Sequence, residues 1–457
     1  MVADAAARLA RALGGELGRR LGTLTPGNAW GVFAGGELRE AHGAGAASAA
    51  PATAAFRIAS CTKSFTAASA LLLAEEGLLD LDEPLADALD VPLRIRGPLG
   101  PPPTVRDALA MRAGIPTDDP WGDRQESLGD DAFAELLAAG VRAIWPAGAR
   151  YEYSNLGYAI VGRIIGLRAR MPYRRFVETR LLHPLGLTGT AFAPTPDAVT
   201  GYRRGPDGWE ALPYSAPGAF SPIGGLFSTV ADLARWCGVL EGAVDAGEVL
   251  PHGLAERMRH PETPIAGDVT GADPWQAYGL GLVVRAGADG RHIVGHSGGY
   301  PGFTTRMEWA QGTGTGVVVF ESASYTGLAR PVQAAFDAAF GAADALPAEP
   351  APPAFAPWPE TADAAERVRA ALAAGALPDA TLLDPCVDLD VPLPRRADAV
   401  AELVAGIGGV TESSAIVHDT PARASWELRG PHGTLRCSIL MSPTARPRVQ
   451  KLDVAML

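Results

Sequence analysis

Residues 56–79 read FRIASCTKSFTAASALLLAEEGLL. The first four suit an extended strand, and from Ser60 onward the apolar positions Phe65, Ala68, Leu71 and Leu72 recur at helical spacing. Gly77 suits a helix end, where a left-handed residue closes the last turn. The segment predicts strand, turn and helix, with Ser60 at the turn. Residues three apart share a helix face, so the Lys63 amine can approach the Ser60 hydroxyl. The chain has only two lysines, Lys63 and Lys451, and every other cation is arginine. In so arginine-biased a sequence, a retained lysine marks a place where arginine cannot serve, because guanidinium never deprotonates in a protein. A desolvated lysine can lose its proton near neutral pH and act as a base. The helix N-terminus also favours negative charge developing on the serine. The plain structural alternative is a capping serine beside a solvated lysine. Lys451 falls in an end strand with no motif around it.

Outward from this stretch, residues 1–22 form an amphipathic helix, and AWGVFAGGELREAHG (29–43) two short strands around a Gly-Gly turn. A Pro/Gly-rich loop (97–103) and several short helices run to about residue 190. Ser228–Thr229 with Asp232 resembles a capping box that starts a helix reaching about Leu240. Between 278 and 321 the pattern switches to period two: YGLGLVVRA, RHIVGHSG, FTTRMEWA and GVVVFES read as four strands, followed by a helix (328–344). This order predicts one α+β domain, residues 1–345, whose sheet uses both ends and whose terminal helices cover it. LPAEPAPPAFAPWPE (346–360) is a semi-rigid proline-rich linker. Residues 361–457 then form a small α+β or β-rich appendage, with helices at 361–375 and 397–406 and strands near 412–418, 424–430, 433–442 and 447–455.

The 457 residues are 47% hydrophobic and 20% charged, which is ordinary globular composition. Thirty-nine basic against fifty-one acidic residues give a net charge of −12, the wrong sign for a nucleic-acid footprint. No apolar run approaches the roughly 18 residues of a membrane span. The first 22 residues carry charges throughout and lack a cleavable apolar core, so the expected location is cytoplasmic. Cys61, Cys237, Cys386 and Cys437 are scattered, with no CxxC pair and no histidine at ligand spacing, so they read as buried small hydrophobes. No metal and no cofactor is expected.

Two further motifs gain meaning beside Ser60 and Lys63. Tyr153-Ser154-Asn155 offers a hydroxyl that relays protons when a nearby cation lowers its pKa, and an amide that holds a substrate carbonyl. His296-Ser297-Gly298-Gly299 ends a strand; its glycines let a substrate backbone lie along the edge, and the Gly299 N–H can point at an oxyanion. Each motif alone has a structural explanation.

Together, Ser-x-x-Lys, Tyr-x-Asn and His-x-Gly in this order resemble the serine β-lactamase and penicillin-binding-protein superfamily. The flanks LLDLDEPL, PAGARYEYSNLGYAIVG, HPLGLTGTAF and GGLFSTVADLARW resemble its class C-like branch, over about residues 25–340. The resemblance implies an antiparallel sheet flanked by helices with an all-helical subdomain, and a lipocalin-like C-terminal domain. It implies Ser60 as nucleophile, Lys63 as its base, Tyr153 as proton relay, His296 as a catalytic member of the third motif, and Asn155 as amide binder. Gly298 lies along the substrate, and the N–H groups of Ser60 and Gly299 form the oxyanion hole. The β-lactamases usually carry Lys-Thr-Gly where this chain has His-Ser-Gly, a variant similar to D-specific peptidases, D-aminopeptidases and some esterases. A substrate carboxylate, usually met by that lysine, is then absent or bound elsewhere.

Size, the His-x-Gly motif and a C-terminal domain after a proline-rich linker are most similar to penicillin-binding-protein-type thioesterases. These take a peptidyl thioester from a carrier protein and close it head to tail. The expected partner is therefore a peptidyl carrier protein, with no nucleic acid and no membrane. A D-specific amidase, peptidase or esterase is the alternative, with a β-lactamase or a penicilloyl-binding sensor behind it. In the C-terminal domain, Arg446 in the turn before the last strand is the candidate for a substrate carboxylate or carbonyl, against the reading of a solvated turn residue.

Overall fold

The computed structural model describes residues 2–98, 100–265, 275–343 and 356–457. In the first part the elements that matter are helix α1 (Val2–Arg20), strands β1 (Asn28–Ala34) and β2 (Glu37–Ala44), helices α2 (Thr62–Glu75), α3 (Asn155–Ala169) and α4 (Val230–Glu241), strands β3 (Thr263–Ile265), β4 (Gln276–Tyr278), β5 (Val283–Ala286), β6 (His292–Tyr300), β7 (Phe303–Ala310) and β8 (Thr315–Glu321), and helix α5 (Ala329–Phe340). The eight strands form one antiparallel sheet in the order β2-β1-β8-β7-β6-β5-β4-β3, so the N-terminal hairpin closes onto the strand made last.

Period-two alternation sorts the strand residues onto two covered faces. Trp30, Val32, Val317 and Val319 meet Leu9, Leu13 and Leu17 of α1 and Val332 and Phe336 of α5. Ala29, Phe33, Val318 and Phe320 point the other way, into the main core with Leu233 and Trp236 of α4. Covered twice, β1 and β8 are buried along their whole length. The predicted strand 278–286 is in fact two, β4 and β5, paired about a turn at residues 279–282 in which Gly281 has φ +76°. The YGLGL apolar run concealed that turn. The predicted cap at Thr229 is present, its Oγ1 accepting from Asp232 N at 3.1 Å. The Asp232 carboxylate turns away to Gly189 and Thr190, so the box is not reciprocal.

A buried ion pair ties α1 to the end of β8. Arg20 Nε and Nη2 donate to the two oxygens of Glu321 at 2.8 and 2.9 Å, and Nη2 also donates to Thr326 O at 2.7 Å. Removing one partner of such a pair strands an enclosed charge, so Arg20→Ala is expected to destabilise the fold by about 3–5 kcal/mol. The check is the urea midpoint at constant m-value; a loss under about 1 kcal/mol would mean that water reaches Glu321.

The C-terminal part contains helices α6 (Pro359–Ala373), α7 (Pro385–Asp390) and α8 (Leu393–Gly406) and strands β9 (Glu412–Ser413), β10 (Val417–Thr420), β11 (Arg423–Gly430), β12 (Gly433–Met441) and β13 (Val449–Met456). The part is β-rich, as expected: its sheet is open, ordered β9-β11-β12-β13 with β10 also on β11, and α6 packs on β11 and β12. Most of the proline-rich stretch 346–360 lies outside the described residues. The buried apolar residues of the C-terminal part join the main core in one continuous cluster. Polar ties add to it: Arg142 N donates to Pro443 O at 2.8 Å, and Arg124 pairs with Asp390 at 3.1 Å. No helix among the described residues is long and apolar enough to cross a membrane.

Candidate active site

The extended segment Phe56–Arg57 pairs with Phe227–Ser228, and Ile58 N donates to Leu226 O at 2.9 Å. Arg57 locks the segment: it pairs with buried Glu126 at 3.1 Å, donates to Gly224 O at 3.0 Å, and lies 4.0 Å from the centre of the Tyr300 ring. The chain then breaks sharply. Ala59 has φ +47°, a left-handed conformation that L-residues avoid, and Ala59–Cys61 form one 3-10 turn before α2 begins at Thr62. The helix thus starts two residues later than the sequence predicts, and the strained turn presents Ser60 at its N-terminal end.

Lys63 is fully enclosed. Its Nζ lies 3.0 Å from Ser60 Oγ, 2.7 Å from Asn155 Oδ1 and 2.9 Å from Ile223 O. Two of these partners can only accept. A neutral lysine has two N–H bonds and one lone pair, so donating to Asn155 and Ile223 leaves the lone pair facing the serine hydroxyl. Burial lowers the lysine pKa to about 8, against the opposing pull of Asp119, Asp123 and Asp118. Both protonation states are therefore accessible near neutrality, which is what a base requires.

Tyr153 hydrogen-bonds with Ser60, and its ring centre lies 4.9 Å from Lys63 Nζ. The sequence expectation of a lowered pKa is overturned here. Burial and then Asp119 push the phenol well above its ordinary range, outweighing the Ser60 hydrogen bond that lowers it. Tyr153 stays protonated, able to pass a proton but not to hold a charge. Asn155 opens α3, capped by Ser154, whose Oγ accepts from Gly157 N at 3.1 Å. Beneath it lies a loop that sequence reasoning missed. Asp118 accepts from Asn155 N at 2.7 Å and Leu156 N at 2.8 Å, Asp119 accepts from Asn155 Nδ2, and Asp123 accepts from Tyr325 Oη at 3.4 Å. TDDPWGD (117–123) looks like a solvated acidic turn, and only the fold carries it under the lysine.

The third motif lies on β6. Gly298 packs so tightly that a Cβ there would stand 2.2 Å from Thr305 Oγ1, 2.5 Å from Ile58 O and 2.9 Å from Ala59 Cβ. That absent side chain is what lets the strand lie against the serine turn. At Gly299 a Cβ would meet only the Tyr325 ring, at 3.2 Å. His296 is buried, and neither ring nitrogen is free. Nδ1 must donate to Ser297 O, so Nε2 accepts from Tyr278 Oη at 2.9 Å. Burial, with Lys63, lowers its pKa to about 3, so the ring is neutral and has no nitrogen left for Ser60. Its place is beside the Tyr153 ring, 6.3 Å between centres, where it packs the site instead of exchanging protons.

Arg446 is a correction. It is exposed and lines a surface groove with Arg96, Leu136 and Ala139, apart from the serine. The turn that carries it is bridged through Thr444 to Val141, which turns it outward. From the C-terminal part, β13 approaches the site instead. Gln450, Lys451, Leu452 and Asp453 wall a cavity of about 350 Å³ whose other side includes Asp119, Pro120 and Tyr325. Gln450 fixes the acidic loop, Nε2 donating to Thr117 O at 3.0 Å and Oε1 accepting from Trp121 N at 3.2 Å.

Residues 16–342 match the family described as Beta-lactamase. The chain is 28% identical over 270 residues to the D-alanyl-D-alanine-carboxypeptidase/endopeptidase AmpH of Escherichia coli (strain K12), covering 55% of this chain and 66% of that protein, just short of two thirds of its length. The fold is similar to that of a D-stereospecific amidohydrolase from Streptomyces sp. (TM-score 0.58, 23% identity, 72% of this chain and 98% of that one). It is also similar to an octameric penicillin-binding protein homologue from Pyrococcus abyssi (TM-score 0.60, 20% identity), over 97% of this chain and 98% of that one. With its family match spanning most of the chain and the Ser-x-x-Lys, Tyr-x-Asn and His-x-Gly residues gathered around one serine turn, this protein belongs to the beta-lactamase family.

Proposed function

We propose that the chain is a D-stereospecific amidase or peptidase working through an acyl-Ser60 ester. The observation that carries this is the Lys63 lone pair left facing Ser60 by two obligate acceptors. Ser60 Oγ attacks the substrate carbonyl and its proton passes to Lys63. The oxyanion is held by the N–H groups of Ser60 and Gly299, each such donor being worth about 10²- to 10³-fold in rate. As the tetrahedral intermediate collapses, Tyr153 hands a proton to the leaving nitrogen and is resupplied by Lys63. Water then attacks the ester by the reverse relay. Support for a D-configured substrate comes from the similar proteins, a D-alanyl-D-alanine carboxypeptidase/endopeptidase and a D-stereospecific amidohydrolase. The enclosed, neutral His296 supports a substrate whose carboxylate is not met at the third motif.

The cavity beside Asp119 and Tyr325 favours a second reading in which the acyl chain is a long peptide, delivered as a thioester by a carrier protein and released by its own N-terminal amine. A well-placed internal amine has an effective molarity of about 10⁵ M or more, far above water, so a folded acyl chain would cyclise. One experiment separates these outcomes: mass spectrometry of products from peptide amides and peptidyl thioesters that differ only in D or L configuration at the acyl residue. D-amides hydrolysed at least tenfold faster than L-amides are expected. Equal rates overturn the stereochemical reading. Cyclic product from the thioester establishes the cyclase, and linear acid alone removes it.

A further inference from the structure

Asparagine amides have almost the same shape in either orientation, so their partners decide which end faces where. At Asn155 that decision has chemical weight. With its oxygen toward Lys63, as here, the amide accepts an N–H and leaves the lysine lone pair for Ser60. Turned over, its NH₂ would donate into that same lone pair and take it from the serine. The rest of Asn155 is already fixed. Asp118 holds its backbone, and Gly122 lies so close that a Cβ there would stand 2.6 Å from Asn155 Cβ. Only the amide flip remains free, and the group that settles it is the Asp119 carboxylate, which accepts from Nδ2.

We infer that Asp119 is a positioning residue: by accepting from the Asn155 amide it turns the amide oxygen to Lys63 and so aims the lysine lone pair at Ser60. The inference rests on reading Ser60 as nucleophile and Lys63 as base. Burial pushes the Asp119 carboxyl above its ordinary range, and Lys63 first, then the hydrogen bond from Asn155 and last Lys451 across the cavity, draw it back toward the ionised form. The groups facing Lys63 are Asp118, Asp119 and Asp123 from the acidic loop, Tyr153 and Tyr158 from the start of α3 and the segment before it, His296 from β6, and Cys61 from its own turn. Among them Asp119 does most to raise the lysine pKa against burial. Removing its charge therefore moves the lysine midpoint below about 8.

The test measures the acylation burst with a small p-nitrophenyl ester across pH. Asp119→Asn keeps an acceptor for Nδ2 and loses the charge: the plateau rate is expected to stay within about threefold of wild type while the midpoint falls by about one pH unit. Asp119→Ala loses both: the same shift, with the plateau down about 10²-fold and KM little changed. A merely structural loop residue would lower melting temperature without moving the midpoint. An Asp119→Ala plateau within twofold of wild type overturns the inference, as does an Asp119→Asn plateau that falls as far as that of Asp119→Ala. Ser60→Ala is the control, since ester turnover surviving there would overturn the nucleophile assignment instead.

Discussion

Ser60→Ala is expected to abolish the acyl-enzyme, and Lys63→Arg to lose nearly as much although it keeps the charge. Loss of a nucleophile or its base typically costs on the order of 10⁴- to 10⁶-fold in turnover. Arginine fails for two reasons. Guanidinium cannot accept the serine proton at any working pH. Its planar fork also cannot match three acceptors that converge on a single nitrogen, as Ser60, Asn155 and Ile223 do around Lys63. In the wild type, acylation should rise with pH through about 8, because the deprotonated lysine is the active form. His296, already neutral above about 3, adds no second limb to the profile. The measurement is the mass of protein trapped as acyl-enzyme after rapid quench, repeated from pH 6 to 9. Near wild-type turnover by Lys63→Arg at neutral pH would falsify the assignment of the base.

Gly298→Ala should cost about 10²-fold in kcat/KM, the penalty of a misplacement of roughly 1 Å at the reacting groups. The added methyl would meet Thr305 Oγ1, the Ile58 carbonyl and Ala59 Cβ together, and two of those belong to the turn that holds Ser60. Neither the backbone carbonyl nor the left-handed Ala59 can yield, so β6 and the serine turn must separate. Gly299→Ala provides the contrast. Its Cβ would meet only the half-exposed ring of Tyr325, which can swing, and a loss under tenfold is expected. If the two variants lost activity equally, the close approach at Gly298 would not be what sets the geometry.

The fold was legible where local pattern and tertiary demand agree. Period-two runs gave β6, β7 and β8, and FRIASCTKSFTA placed the strand, the turn and the lysine within two residues. The YGLGL turn was hidden because an apolar run satisfies a buried strand and a buried turn equally well. In the site, the Ser60–Lys63 pair was readable from its helical spacing, whereas Tyr153 and Asn155 were readable only through the family resemblance that the three motifs carry together. What stayed hidden depends on long-range placement. Asp118, Asp119 and Asp123 look like solvent-facing acids until the fold encloses them, and that enclosure, with Asp119 close by, raises the pKa of Tyr153 where a cation was expected to lower it. Arg446 and Lys451 lie five residues apart in one turn-and-strand segment, and only the strand register decides that the lysine faces the cavity.

Gln450 also gives the site a schedule. The acidic loop is pinned through Thr117 and Trp121 by a side chain roughly 300 residues downstream of Asn155. At about 5–20 residues per second of synthesis, that interval is about 15–60 s. During it the nascent chain already carries Ser60, Lys63, Tyr153 and Asn155, yet lacks the clamp that holds the loop beneath them. The clamp on the acidic loop is thus the last of the site's contacts to be made, after the sheet has closed and β13 has paired with β12.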